Sequence, residues 1–149
     1  EMPAELPVGG ILLLHGMSDS PYSLRAIGRT FKKNNYWVVG LRLPGHGTAP
    51  SGLVELRWQD MAAAVRLAMG HLAQELGERP LYIVGYSNGA ALAVHYALVG
   101  LENQALPRVE RIVLLSPLPG LKRLARMRAD GETGESRRAG GLVRVNASR

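Results

Sequence analysis

Short apolar runs alternate with segments of helical periodicity through most of this chain, and that alternation constrains the fold more than any other feature. Four apolar runs occur, at residues 8–14, 36–41, 81–86 and 109–116. Because they are apolar almost throughout, rather than alternating with polar residues, they predict strands buried on both faces. Helices between successive strands predict parallel pairing. The pattern therefore predicts an α/β fold with three layers and a doubly wound, mostly parallel sheet of about four strands.

Three segments between the runs have apolar residues at helical spacing: 21–33, 56–76 and 88–99. Ser20 is placed to cap the first of them, and Pro21 suits its first turn. The Gly- and Pro-rich segment 42–52 predicts a loop.

Composition changes after residue 118. Residues 117–149 contain no aromatic residue and carry eight Lys or Arg against three Asp or Glu, whereas residues 1–116 carry ten against nine. We therefore expect a core over residues 1–118 and a basic tail over 119–149 that is weakly structured or disordered. The net charge of +6 belongs mostly to the tail. The core thus gives no electrostatic reason to expect nucleic acid as a partner.

Several classes of site are not expected. The chain has no cysteine, which excludes disulfides, thiolate metal sites and a cysteine nucleophile. Its four histidines are scattered and no nucleotide-binding glycine motif follows a strand, so neither metal nor cofactor is predicted. No apolar run is long enough to span a membrane, and nothing resembles a signal peptide. A cytoplasmic location is favoured, with a periplasmic or membrane-associated one open if a segment precedes Glu1.

The most informative motif is G-x-S-x-G, formed by Gly85, Ser87 and Gly89 between a predicted strand and a predicted helix. A serine at such a turn has a strained backbone that projects its hydroxyl outward. Side chains in place of the two glycines would collide as the strand reverses into the helix. The helix N-terminus offers N–H groups and a positive dipole end that suit an oxyanion. The plainer alternative is a glycine-rich turn with an idle serine.

A second element, His15-Gly16-Met17, directly follows the first predicted strand. A backbone N–H in this loop and the N–H of Asn88 would form a pair of donors aimed at one oxygen. His15 itself is expected to pack and hydrogen-bond within the loop rather than to act as a general base.

These segments together resemble the α/β-hydrolase family, and more closely its serine aminopeptidase-like and monoacylglycerol lipase-like branch. The resembling stretches, within residues 8–118, are LLLHGMSDSPYSL (12–24), LRLPGHGTAP (41–50), WQDM (58–61) and GYSNGAALA (85–93). The resemblance implies Ser87 as nucleophile, with Met17 and Asn88 supplying the oxyanion N–H groups. It implies a small acyl ester or amide as substrate.

The resemblance also bears on four residues outside the nucleophile and the oxyanion donors. His15 and His46 are the residues expected near the substrate, His46 as a structural or pocket-lining residue. Asp60 is expected to cap a helix rather than to act as an acid catalyst. Thr48 stands where relatives carry a serine, in a loop of the G-x-G-x-S kind.

The sequence departs from the family after the nucleophile. A triad in this fold runs Ser, then Asp or Glu, then His. The only histidine after Ser87 is His95, and eight residues of helix separate the two by about 12 Å. Asp130 follows the fourth strand, but no histidine follows Asp130. We therefore expect the N-terminal half of a serine hydrolase that lacks the triad Asp and His.

Two other hypotheses stay open. The chain could be a non-catalytic α/β-hydrolase fragment or binding module, and an unpaired edge of the fourth strand would then favour self-association. The less favoured hypothesis is nucleic-acid binding through the basic tail. Monoacylglycerol-like esters, other short esters and peptides all stay open as substrates, because fold-level likeness is a weak guide to substrate.

Overall fold

The computed structural model describes residues 6–46 and 56–117, and the backbone of residues 143–146. Its strands are β1 (Gly9–Leu14), β2 (Tyr36–Leu41), β3 (Leu81–Tyr86), β4 (Arg111–Leu115) and β5 (Val143–Asn146). Its helices are α1 (Arg25–Lys33), preceded by a 3-10 turn (Pro21–Leu24), α2 (Trp58–Leu76) and α3 (Asn88–Glu102). The strands form one sheet in the order β2-β1-β3-β4-β5. The first four pair in parallel, which confirms the predicted α/β architecture.

Alternate residues of the central strand β1 face opposite layers. Ile11 and Leu13 pack with Leu24 of the 3-10 turn and with residues of α1. Leu12 and Leu14 pack with the buried residues of α2 and α3. Because side chains of a strand point to its two faces in turn, one buried strand joins both helical layers. The expected three-layer, doubly wound arrangement is therefore present.

Strand β2 is less buried than its sequence predicts. None of its six residues is fully buried, and Gly40 is exposed, whereas all six residues of β1 are buried. The reason is position: in the described part of the sheet β2 has a neighbour on one side only, β1. An apolar run indicates a strand but does not reveal whether that strand lies at the centre or at the edge.

The tail contributes a strand that the sequence analysis did not anticipate. Backbone of Val143–Asn146 pairs antiparallel with β4, with Val145 opposite Ile112. The outer edge of β4, expected to be unpaired, is therefore covered. Four residues in a polar, basic segment carry too weak a pattern to predict a strand, and here pairing with β4 creates it. Self-association through a sheet edge stays a prediction, but β4 is not the edge available for it.

Helix α2 begins with the cap that the sequence indicates. The Asp60 carboxylate accepts a hydrogen bond from the Arg57 N–H at 3.3 Å, as in a capping box. Ser20, by contrast, makes no side-chain capping bond at the 3-10 turn. Among the described residues, no helix is both long and apolar enough to cross a membrane.

Candidate active site

Ser87 occupies the sharp turn between β3 and α3. Its backbone has φ 52° and ψ −110°, a positive φ that residues other than glycine seldom adopt. The Ser87 N–H donates to the Leu115 carbonyl at the end of β4 at 3.0 Å, and the Ser87 carbonyl accepts from the Ala90 N–H at 3.0 Å. Neighbouring elements therefore hold the strained residue from both sides, as a stable strained turn requires.

The two glycines of the motif lie where no side chain fits. A Cβ on Gly85 would overlap the Gly89 carbonyl and come within 2.7 Å of the Ala90 Cα. A Cβ on Gly89 would overlap the Leu14 carbonyl and come within 2.8 Å of the His15 oxygen. The predicted collision is confirmed, and it involves more than the turn: the first turn of α3 also sits directly against the end of β1.

The loop after β1 lies beside the serine. Leu14 pairs with Gly85 in the parallel register, so the residues that follow β1 and β3 emerge next to each other. A Cβ built on Gly16 would lie 3.6 Å from the Ser87 Cβ and 3.3 Å from the Tyr86 ring. The structure thus brings His15-Gly16-Met17, Ser87 and the start of α3 into one place. We call residues 15–17 the oxyanion loop, after the role that the family resemblance predicts for it.

The backbone N–H groups of the two predicted donor residues, Met17 and Asn88, belong to segments that meet at this place. Asn88 is the first residue of α3, and the first N–H groups of a helix have no partner within the helix. Met17, whose side chain is 47% exposed, belongs to the oxyanion loop. The Asn88 side chain is turned the other way, since its Nδ2 lies 3.6 Å from the Met61 Sδ of α2. What Asn88 offers to the site is its backbone.

His15 is fully buried and hydrogen-bonded at both ring nitrogens. Its Nδ1 lies 2.8 Å from the Gly16 carbonyl, and its Nε2 accepts from the Leu43 N–H at 3.1 Å. These partners require a neutral ring with the proton on Nδ1. Burial, opposed by the bond to Gly16 and reinforced by His46, lowers the pKa of His15 below its ordinary value of 6.5. The ring therefore supports the loop and has no free lone pair for a proton from Ser87.

His46 lies against His15 beneath the same loop. The two ring centroids are 4.8 Å apart in an edge-to-face contact. His46 is 3% exposed, with Nε2 2.6 Å from the Met17 carbonyl and Nδ1 3.0 Å from the Pro44 carbonyl. Substrate contact by His15 and His46 stays a prediction, and their burial favours a supporting position instead. Sequence reasoning missed the bond between His46 and Met17, because P-G-H-G signals only a loop.

The remaining candidates lie elsewhere. His95 faces α2 from the middle of α3, where its ring meets Trp58 with centroids 5.9 Å apart. His71 is exposed on α2, and Asp60 caps that helix. Thr48 and Asp130 are outside the described residues. Within the described part of the chain, no group of three His, Asp or Glu could hold a metal ion.

A parallel sheet with serine at a strained strand-to-helix turn, beside the loop that follows β1, is typical of the α/β-hydrolase class. Residues 6–131 match the family of serine aminopeptidases S33. The chain belongs to that family, as its motifs had indicated.

Curated relatives and solved structures agree with this assignment. The chain is 32% identical over 88 residues to a thermostable monoacylglycerol lipase of Bacillus sp. (strain H-257), covering 59% of this chain and 34% of that protein. It is 26% identical over 130 residues to phospholipase YtpA of Bacillus subtilis (strain 168), covering 80% of this chain and 44% of that protein. Both likenesses place it among the esterase- and lipase-like α/β-hydrolases.

Structural likeness extends over most of the described core. A solved structure from the metagenome-derived lipolytic enzymes LipS and LipT gives a TM-score of 0.67 at 31% identity, over 80% of this chain and 48% of that one. A soluble variant of monoglyceride lipase from Saccharomyces cerevisiae gives a TM-score of 0.66 at 16% identity, over 94% and 49%, and shows the fold alone. This chain therefore spans half or less of the length of these four proteins.

Proposed function

We propose that this chain carries the nucleophile and oxyanion hole of an ester hydrolase that acts through an acyl-serine intermediate. Ser87 attacks the substrate carbonyl, and the N–H groups of Met17 and Asn88 receive the oxyanion that forms. The observation that carries this proposal is the elbow geometry of Ser87, at φ 52°, beside the oxyanion loop.

The acid and base of the triad, in this proposal, come from residues outside the sequence. Each of the four histidines argues for this. The unprotonated nitrogen of His15 accepts from the Leu43 N–H, and His46 is buried with its Nε2 against the Met17 carbonyl. His95 packs against Trp58. His71 lies about 15 Å along α2 from Met61, the residue that touches Asn88. In this proposal Ser87 is therefore positioned as a nucleophile, but none of the four histidines is placed to accept its hydroxyl proton.

The substrate class we favour is a carboxylic ester of a glycerol lipid. Two relatives bear the names monoacylglycerol lipase and phospholipase. Amides stay the second acyl class, as the name of the family suggests. Which of the two applies depends on residues that bind the leaving group.

The test is covalent labelling of Ser87 with a fluorophosphonate, with Ser87→Ala as control and circular dichroism to show folding. We expect a folded chain that labels slowly. Added imidazole should accelerate labelling in proportion to its concentration, because it supplies the missing base, and Ser87→Ala should show no labelling in either condition. Labelling at full rate without imidazole would overturn the proposal that the base lies outside the chain.

The second candidate is a non-catalytic α/β-hydrolase-like binding module, favoured by the unactivated serine. It predicts a folded chain whose Ser87 stays unlabelled with and without imidazole. A chain that binds a monoacylglycerol under those conditions, measured by calorimetry, would support the module and contradict the acyl-serine proposal.

A further inference from the structure

The Met17 N–H belongs to the peptide group that joins Gly16 and Met17, and the carbonyl of that group is the Gly16 carbonyl. Every described peptide bond is trans, so the N–H and the C=O of one peptide point in opposite directions. The Gly16 carbonyl faces the buried His15 Nδ1 at 2.8 Å. The Met17 N–H is therefore directed away from the buried rings.

The next peptide group along the chain is held in the same way by the other histidine. It presents the Met17 carbonyl, which lies 2.6 Å from the His46 Nε2. A carbonyl oxygen only accepts hydrogen bonds, so this bond requires the single proton of a neutral His46 ring to be on Nε2, not on Nδ1, which lies 3.0 Å from the Pro44 carbonyl. Two consecutive peptide planes of the oxyanion loop are thus each fixed by one buried imidazole.

Both rings are in turn tied to the segment that follows β2. The Leu43 N–H donates to His15 Nε2 at 3.1 Å, and His46 lies two residues beyond Pro44, whose carbonyl is 3.0 Å from His46 Nδ1. The oxyanion loop after β1 is therefore held by the loop after β2 through these two rings.

We propose that His46 is a positioning residue of the oxyanion hole: its Nε2–H holds the Met17 carbonyl and, together with the bond from His15 to the preceding peptide, fixes the direction of the Met17 N–H. This role rests on the proposed function in taking that N–H as an oxyanion donor. It differs from substrate contact, because the ring is 3% exposed. It also differs from simple space filling, because it depends on one donor at one ring position.

Two amide substitutions of His46 distinguish the effect of losing the hydrogen-bond donor from the effect of losing the ring. The side-chain nitrogen of His46→Gln reaches the position of Nε2, so this variant keeps a donor for Met17. The side-chain nitrogen of His46→Asn reaches only the position of Nδ1, so it loses that donor. Both variants remove the ring and its edge-to-face contact with His15, which makes them a matched pair.

The readout is nuclear magnetic resonance of the two peptide groups themselves. Met17-Ser18 is the only Met-Ser pair in the sequence and Gly16-Met17 the only Gly-Met pair. Selective carbonyl-¹³C labelling of the first residue and ¹⁵N labelling of the second therefore gives one correlation for each peptide. We expect both correlations to keep their wild-type positions in His46→Gln and to move or broaden in His46→Asn.

Equal displacement in the two variants would show that ring packing matters rather than the donor, and no displacement in either would show that His46 does not position the loop. Each result overturns the proposal. A long-range ¹H–¹⁵N spectrum of the unmutated chain tests it without a substitution, since an unprotonated Nε2 would also overturn it. None of these readouts uses turnover, so they remain decisive if Ser87 proves not to be a nucleophile.

Discussion

At the scale of single residues, the structure shows why certain positions of the elbow motif require glycine. Ser87 tolerates a positive φ because bonds on both sides hold it, whereas Gly89 is required by contact with another strand. Glycine is not required at Gly100, also in α3, because an added Cβ there would meet nothing within 4 Å. The letters of a sequence do not distinguish a glycine that a contact requires from one that another residue could replace.

We predict that Gly89→Ala destabilises the fold by about 3 kcal/mol or more, since the methyl group overlaps the rigid backbone of β1. Gly100→Ala in the same helix should instead stabilise it by about 0.5–1 kcal/mol, the usual preference of helices for alanine. Urea unfolding of both variants gives the comparison. Equal effects of the two substitutions would contradict the packing of α3 against β1.

The second prediction concerns His15 and acid. Because burial lowers the folded-state pKa of His15, the unfolded chain binds a proton more readily than the folded chain does. Stability should therefore fall as pH drops below about 6.5, by at most about 1.4 kcal/mol per pH unit from this one group. His15→Asn, which has no titrating ring, should show a shallower loss between pH 6.5 and 5 in urea melts. If stability falls equally with pH in the unmutated chain and in His15→Asn, His15 does not contribute to the loss of stability in acid.

At the scale of elements, the start of α2 favours a structural rather than a catalytic role for the Asp60 carboxylate. Asp60 accepts the Arg57 N–H, and this use of the carboxylate leaves it at the helix end rather than at the serine. Helix α3 follows Ser87, an N-cap residue whose side chain makes no capping bond. The two helices thus start by different means, and only the start of α3 lies at the candidate site.

We predict that Asp60→Ala lowers the free energy of unfolding by about 1 kcal/mol, as loss of an N-terminal cap does. Glu75→Ala, at an exposed carboxylate in the last turn of the same helix, should change it by no more than about 0.5 kcal/mol. Neither variant should alter imidazole-dependent labelling of Ser87. A loss of labelling in folded Asp60→Ala would give Asp60 a role in the chemistry.

At the scale of the whole molecule, a segment from the tail adds the outermost strand on one side of the sheet. Strand β5 covers the edge of β4, while β2 forms the other edge of the described sheet. An uncovered β4 would present unpaired N–H and C=O groups to another chain.

We therefore predict that a chain ending at residue 142 self-associates and loses amide protection in β4, whereas one ending at residue 146 behaves like the full chain. Sedimentation measures the association, and hydrogen exchange at Ile112 and Leu114 measures the protection. If both shortened chains stay monomeric with protected β4 amides, β5 does not guard that edge.

The sequence by itself determined the order of strands and helices, the elbow at Ser87 and the loop that faces it. The elements follow from local patterns: apolar runs of strand length, helical spacing, and a glycine motif of five neighbouring residues. The loop facing the elbow follows from the resemblance to a known family. The cap at Asp60 was equally readable, because its partner lies three residues away.

Only the tertiary structure decided which strand is central, which edge is covered, and which groups the His15 and His46 rings contact. Each depends on groups far apart in the chain: β5 pairs with β4 across more than twenty intervening residues, and His46 reaches Met17 from 29 residues away. No periodicity records such pairs. Burial and hydrogen bonding at these places are properties of the folded arrangement, since they arise only when separate segments are brought together.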